Sequence, residues 1–142
     1  FSLYCQRTGA LFAVCQSSAE KKRVASQVSR IIRVLYSNPP AHGARIAAHI
    51  LSGPLRKHWE KEVTIMQERL QRTRDRFVEK LGGGFDYLLR QKGMFSLLDL
   101  KQEQVKRLKK KDAIYVAAGG RVSIAGLNEE NIDQVVRGIL SL

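Results

Sequence analysis

The segment Ser37-Asn38-Pro39-Pro40 constrains this chain more than any other. Two successive prolines fix φ and supply no backbone donor, so neither a helix interior nor a central strand can hold them. Pro40 suits a first helical turn, where its missing N–H is not needed. The segment therefore reads as a rigid loop that ends one helix and starts another at about Ala41.

The apolar patterns on either side agree with that break. Ser17 or Ser18 is a good N-cap, with Glu20 in the first turn and Val24, Val28, Ile31 and Ile32 on one face. A second helix over 42–51 carries Ile46, His49 and Ile50 and ends near Gly53. Upstream, the continuous apolar run 9–15 has the pattern of a strand buried on both faces, which needs neighbours that the first half of the chain does not supply. Pro54 opens the longest element. Leu55, Trp59, Val63, Met66, Leu70, Phe77 and Leu81 form its stripe, with Thr73 or Arg74 filling one turn, until Gly82-Gly83-Gly84 stops it. Such a helix spans roughly 40 Å, enough to bridge two domains. Strands are predicted over 85–89, 93–98, 114–118 and 121–125, with helices over 101–110 and 128–140. Asn128 caps the last helix, and Glu129 and Glu130 complement its dipole. The fold class is α/β, with a boundary between 1–53 and 54–142.

A chain of 142 residues that is 44% hydrophobic supports a real core and argues against disorder. Its formal net charge of +12 allows a polyanionic partner and equally fits a site that collects anionic substrates. The run Arg69-Leu70-Gln71-Arg72-Thr73-Arg74-Asp75-Arg76 supports a basic helical nucleic-acid-binding module, but its apolar members follow the helix stripe and few aromatics interleave with it. Its cations are better read as a solvated helix face. Cys5 and Cys15 lack metal-like spacing and read as reduced, inert thiols. His42, His49 and His58 have no ligand company, so no metal is expected. No run approaches the roughly 20 apolar residues of a membrane span.

Four segments, taken in order, carry a resemblance. They are Phe1-Ser2-Leu3-Tyr4-Cys5-Gln6-Arg7-Thr8-Gly9-Ala10, the Ser-Asn-Pro-Pro loop, Gly93-Met94-Phe95-Ser96, and Gly120-Arg121-Val122-Ser123-Ile124-Ala125-Gly126-Leu127-Asn128. Together they resemble the C-terminal part of the aspartate/aromatic aminotransferases, fold-type I enzymes that use pyridoxal 5'-phosphate. The resemblance implies the end of a large cofactor-binding domain over 1–53, then a long bridging helix and a small C-terminal α/β domain over 54–142.

It also implies roles for particular residues. Arg121 stands where the family grips the substrate α-carboxylate, and a planar guanidinium matches a carboxylate bidentately as lysine cannot. On the residues alone, Arg121 reads either as a surface arginine on an edge strand or as one paired with an anion, because burying it unpaired in this small, apolar strand is costly. Arg7 stands where the family binds the cofactor phosphate, although Ser2, Cys5, Gln6 and Thr8 depart from the usual glycine, asparagine, glutamate and valine around it. Arg33 occupies the position that reaches into the partner subunit's site to bind the distal carboxylate of aspartate or glutamate, with Tyr36 and Ser37 beside it at that interface. Phe95 resembles the aromatic residue lining the substrate pocket. The catalytic lysine, which holds the cofactor as a Schiff base in a Ser-x-Ser-Lys-Asn motif, is expected just upstream of Phe1. No lysine of this chain has that context, so these residues alone are expected to be inactive.

The activity implied is amino-group transfer between aspartate or glutamate and 2-oxo acids, with aromatic amino acids left open as a second substrate class. A homodimer with shared active sites is implied, without nucleic acid or membrane, in the cytoplasm or a mitochondrion. The alternatives are the nucleic-acid module and a catalytically inactive aminotransferase-like scaffold.

Overall fold

The computed structural model of the chain describes residues 1 and 3–142; Ser2 lies outside them. It forms two compact units, Phe1–Glu60 and Lys61–Leu142.

The first unit holds α1 (Ser18–Leu35) and α2 (His42–Ser52). Ser17 caps α1 by accepting the Glu20 amide at 3.1 Å, while a Glu20 carboxylate oxygen accepts the Gln16 amide at 2.7 Å. Together they satisfy two donors around the helix start. The Pro-Pro loop separates the helices as its chemistry requires. Residues 9–15 do not form the expected strand. The segment is exposed, with Phe12 86% accessible, and among the described residues no strand pairs with it. Apolar composition suits a strand for burial, but the ladder needs hydrogen-bonding neighbours on its edges, and none of the described residues supplies them. Its alternate residues Leu11, Ala13 and Cys15 line a cavity of about 720 Å³ with Val24 and Val28 of α1. Leu11, Phe12, Ala13 and Val14 are nevertheless all exposed, and Cys15 is half-buried.

Helix α3 (Arg56–Leu81) has 26 residues and is about 39 Å long at 1.5 Å per residue. Its stripe is buried only at the C-terminal end, where Phe77, Val78 and Leu81 enter the core. Nearer the start, Leu55 and Met66 are exposed, and Trp59 stacks on Phe1 with ring centroids 4.9 Å apart.

The second unit packs Phe77, Val78 and Leu81 against Leu88, Leu98, Val122, Ile124, Leu127, Ile132, Val136 and Ile139. Its sheet has two antiparallel strands, β1 (Phe95–Leu97) and β2 (Arg121–Ser123), paired Phe95 to Ser123, Ser96 to Val122 and Leu97 to Arg121. Helix α4 (Gln102–Asp112) follows β1, and α5 (Ile132–Leu140) closes the chain. Gly138 lets α5 approach closely, since a Cβ there would overlap the Ile114 side chain and press on Leu108. Asn128 caps the turn leading into α5: its side-chain oxygen accepts the amides of Glu130 and Asn131 at 3.0 Å, and its carbonyl accepts from Ile132 at 3.1 Å.

Three predicted strands differ. Residues 85–89 form a 3-10 turn, Asp86–Arg90, because the half-buried Phe85 and fully buried Leu88 lie three apart. That spacing suits a tight helix rather than a period of two. Residues 114–118 contribute only a single bridge, Ala117 to Arg121, closed through Gly119 and Gly120, both with positive φ. Strand β2 stops at Ser123, where Ile124–Gly126 coils into another 3-10 turn that buries Ile124.

Candidate functional site

In the second unit, the pleat divides the small sheet. Ser96 and Val122 face the core, while Phe95, Leu97, Arg121 and Ser123 share the accessible face. The Arg121 guanidinium carbon sits 5.0 Å from the Phe95 ring centroid. The ring's negative face holds the cation in place without consuming its N–H donors. The structure leaves Arg121 exposed, with no carboxylate paired to it among the described residues. The planar fork is therefore open to an incoming carboxylate.

Two features hold this face that the sequence reading did not single out. Gln91 serves the outer edge of β1 like a third strand: its side-chain oxygen accepts the Leu97 amide at 2.9 Å, and its amide donates to the Leu97 carbonyl at 3.3 Å. Arg69 on α3 donates to the carbonyls of Ala125, at 3.3 and 3.4 Å, and Leu127, at 3.4 Å, tying down the segment after β2. Their signal lay in donor-rich side chains three to six residues from, or across from, unpaired strand ends, which one-dimensional patterning does not expose.

In the first unit, Arg33 lies in the last turn of α1 and donates from Nη1 to the Ser37 hydroxyl at 3.2 Å. Tyr36 is the C-cap, and the amides of Tyr36 and Ser37 both bond the Ile32 carbonyl at 3.1 Å. Ser37 has φ +66, a left-handed turn that steers the chain into the prolines. The bond to Ser37 occupies one end of the Arg33 fork and leaves the rest exposed.

Arg7 sits in an exposed turn where both Cys5 (φ +65) and Arg7 (φ +48) are left-handed. Such non-glycine conformations cost about 1–3 kcal/mol each and gather at functional sites. The turn leans on the start of α2, where a Cβ at Gly43 would overlap the Thr8 hydroxyl. Among the described residues no carboxylate pairs with Arg7. An unpaired guanidinium on a braced turn suits a dianionic phosphate.

The histidines do not converge; among the described residues no group of three or more side chains could hold a metal ion. Among the described residues, two side chains have shifted pKa values. The hydrogen bond and charge of Lys80 hold the Asp133 carboxyl below its ordinary value, and burial, with Asp99 nearby, pushes the Tyr87 phenol up.

The family model for aminotransferase class I and II matches residues 1–139. The chain belongs to this aminotransferase family. The aspartate aminotransferase of Pseudomonas aeruginosa is 42% identical over the whole of this chain, which covers 37% of that protein. The aromatic-amino-acid aminotransferase of Burkholderia pseudomallei, solved covalently bound to pyridoxal phosphate, is 40% identical with a TM-score of 0.82, covering 99% of this chain and 37% of that one. The cytoplasmic aspartate aminotransferase of Saccharomyces cerevisiae is also 40% identical, with a TM-score of 0.73, over 92% of this chain and 33% of that one. The chain thus spans about a third of the length of the relatives it matches. No helix among the described residues is long and apolar enough to cross a membrane.

Proposed function

We propose that this chain is the C-terminal, carboxylate-binding part of a pyridoxal-phosphate-dependent aminotransferase acting on aspartate and glutamate, with aromatic amino acids as a second substrate class. One observation carries the reading: Arg121 presents an open guanidinium over Phe95 on an accessible sheet face. In this reading residues 1–53 close a large cofactor-binding domain, and 54–142 supply the bridging helix and the small domain.

Arg7 fits the phosphate end of the cofactor in charge, exposure and bracing, and it is the one residue of this chain assigned to that group. Pyridoxal phosphate, when bound, supplies the electron sink for breaking the substrate Cα–H bond. Arg121 takes the α-carboxylate through two parallel N–H bonds, fixing the rotation about Cα. Phe95 backs the guanidinium and excludes water from one side. Arg33 selects a second carboxylate in the neighbouring subunit's site, steered by Ser37, with Tyr36 beside it. Proton movement at Cα falls to the lysine expected before Phe1.

A two-fold homodimer follows from this arrangement, because an isologous interface gives both sites the same borrowed arginine. The free thiols of Cys5 and Cys15 suit a reducing cytoplasm or mitochondrial matrix.

The test is substrate discrimination in the longer, cofactor-loaded protein. Arg33→Ala is expected to depress turnover of aspartate and glutamate far more than that of phenylalanine, whereas Arg121→Ala depresses all three. Equal losses for Arg33→Ala across both substrate groups would remove its assignment to the distal carboxylate.

A further inference from the structure

Arg74 is the buried charge of the second unit: it is 2% accessible, in the same turn of α3 as Phe77 and Val78. A guanidinium does not deprotonate in proteins, so the charge stays. Burying it is costly unless it is paired, yet no carboxylate pairs with it among the described residues. Its Nη2 donates to the Gly93 carbonyl at 2.5 Å, and its Nε is buried without a partner. A leucine or methionine would fill the stripe without that desolvation cost.

Gly93 is the point at which the chain turns into β1. Its φ of +82 is left-handed, and Phe95 follows two residues later. The neighbouring Met94 carbonyl accepts the Ile124 amide at 2.9 Å, so the same stretch also anchors the end of β2. A charge-assisted bond from a rigid helix to the Gly93 carbonyl pins the strand at its origin. The strand's register in turn decides where Phe95 lies beneath Arg121. We propose that Arg74 is a positioning residue: through the Gly93 carbonyl it sets the start of β1 and so preorganises the Phe95–Arg121 pair for a substrate carboxylate. This rests on the reading of Arg121 as the α-carboxylate ligand.

The test uses Arg74→Lys, which keeps a cationic donor, and Arg74→Met, which keeps bulk alone. In the isotope-labelled longer protein, stacking on Phe95 should place the Arg121 side-chain proton signals upfield of their free positions. Arg74→Met should return them toward those positions and Arg74→Lys should largely preserve them, with the α5 amide pattern unchanged in both. In the longer, cofactor-loaded protein, Arg74→Met should raise KM for aspartate roughly ten-fold with kcat little changed, the mark of lost binding rather than lost chemistry. An upfield Arg121 signal that persists in Arg74→Met would overturn the proposal.

If the variants do not fold, the unmodified longer protein still decides. Restricted rotation and slow solvent exchange of the Arg74 guanidinium protons are expected, and a freely rotating, fast-exchanging group would also overturn it. Arg121→Ala separates the two layers: if that change leaves KM untouched, the carboxylate assignment fails, whereas an effect of Arg121→Ala without one of Arg74→Met fails the positioning role alone.

Discussion

Replacing Arg121 by alanine in the longer protein should cost catalysis heavily and stability hardly at all. The guanidinium is exposed, and no carboxylate pairs with it among the described residues, so its folding role is limited to the contact with Phe95 at 5.0 Å. A cation–π contact at an exposed site contributes about 0.5–1 kcal/mol, which bounds the loss of stability. On the role proposed for it, the same group is desolvated against the substrate carboxylate, and truncating one partner of such a pair costs about 2–5 kcal/mol. That corresponds to roughly thirty- to several-thousand-fold in kcat/KM, at ten-fold per 1.4 kcal/mol. Arg121→Lys should recover only part of the loss, since a point charge replaces two parallel bonds. Phe95→Leu should fall well short of Arg121→Ala, because it removes the support and leaves the fork. The assay is steady-state transamination with aspartate and phenylalanine, alongside thermal unfolding. A kcat/KM within three-fold of wild type for Arg121→Ala would refute the reasoning, as would a destabilisation comparable to losing a core residue.

Four further outcomes follow from the same structure. Gly138→Ala should destabilise the second unit by about 1–3 kcal/mol, because the new methyl overlaps Ile114 and crowds Leu108; calorimetry showing no loss would mean that α5 shifts without cost. Asp133 has its carboxyl pKa depressed by Lys80, at 2.7 Å, so its contribution to stability is present above the unfolded value of 3.8 and is lost as pH falls through the lower folded value. Asp133→Asn should flatten that part of an acid-unfolding curve, and an unchanged slope would reject the assignment. Gly43→Ala should disturb the Arg7 turn through Thr8, seen as shifted amide signals for Gln6 and Thr8 with α1 unaffected; an unmoved turn would show that Thr8 simply swings away. Pyridoxal phosphate followed by borohydride should leave no stoichiometric adduct on any single lysine of these 142 residues, and one specific adduct would contradict the expectation that the catalytic lysine lies before Phe1.

The helices were legible because their signals are local. Ser17, Glu20, the Pro-Pro loop, Gly53 and the glycines after Leu81 mark ends that local backbone geometry and hydrogen bonding enforce. Strands were legible only where a partner exists. β1 and β2 were found, but residues 9–15 and 114–118 have strand composition without a ladder, and composition cannot report whether a neighbour is present. Residues 85–89 failed for another reason: Phe85 and Leu88 are a helical pair hidden in a short apolar run. Resemblance supplied Arg7, Arg33, Phe95 and Arg121. It did not supply the residues that support them, such as Gln91 on the edge of β1 or Gly43 against the Arg7 turn, because these act through contacts that no periodic pattern displays. The stripe of α3 left its gap open between Thr73 and Arg74; burial and the bond to Gly93 place Arg74 there.

The central claim is that this chain supplies the carboxylate-binding arginines of a shared aminotransferase site. Hybrid dimers of the longer protein test it most directly. One subunit carries Arg33→Ala, the other lacks the catalytic lysine, and transfer of ¹⁵N from labelled aspartate to 2-oxoglutarate is followed. Each parent homodimer should transfer little: one lacks the distal-carboxylate arginine and the other the lysine. The hybrid contains one site with an intact lysine on one subunit and an intact Arg33 from its neighbour, so labelled glutamate should appear at up to half the wild-type rate per dimer. Verified hybrids that remain as inactive as their parents would contradict the claim and place Arg33 outside a shared site.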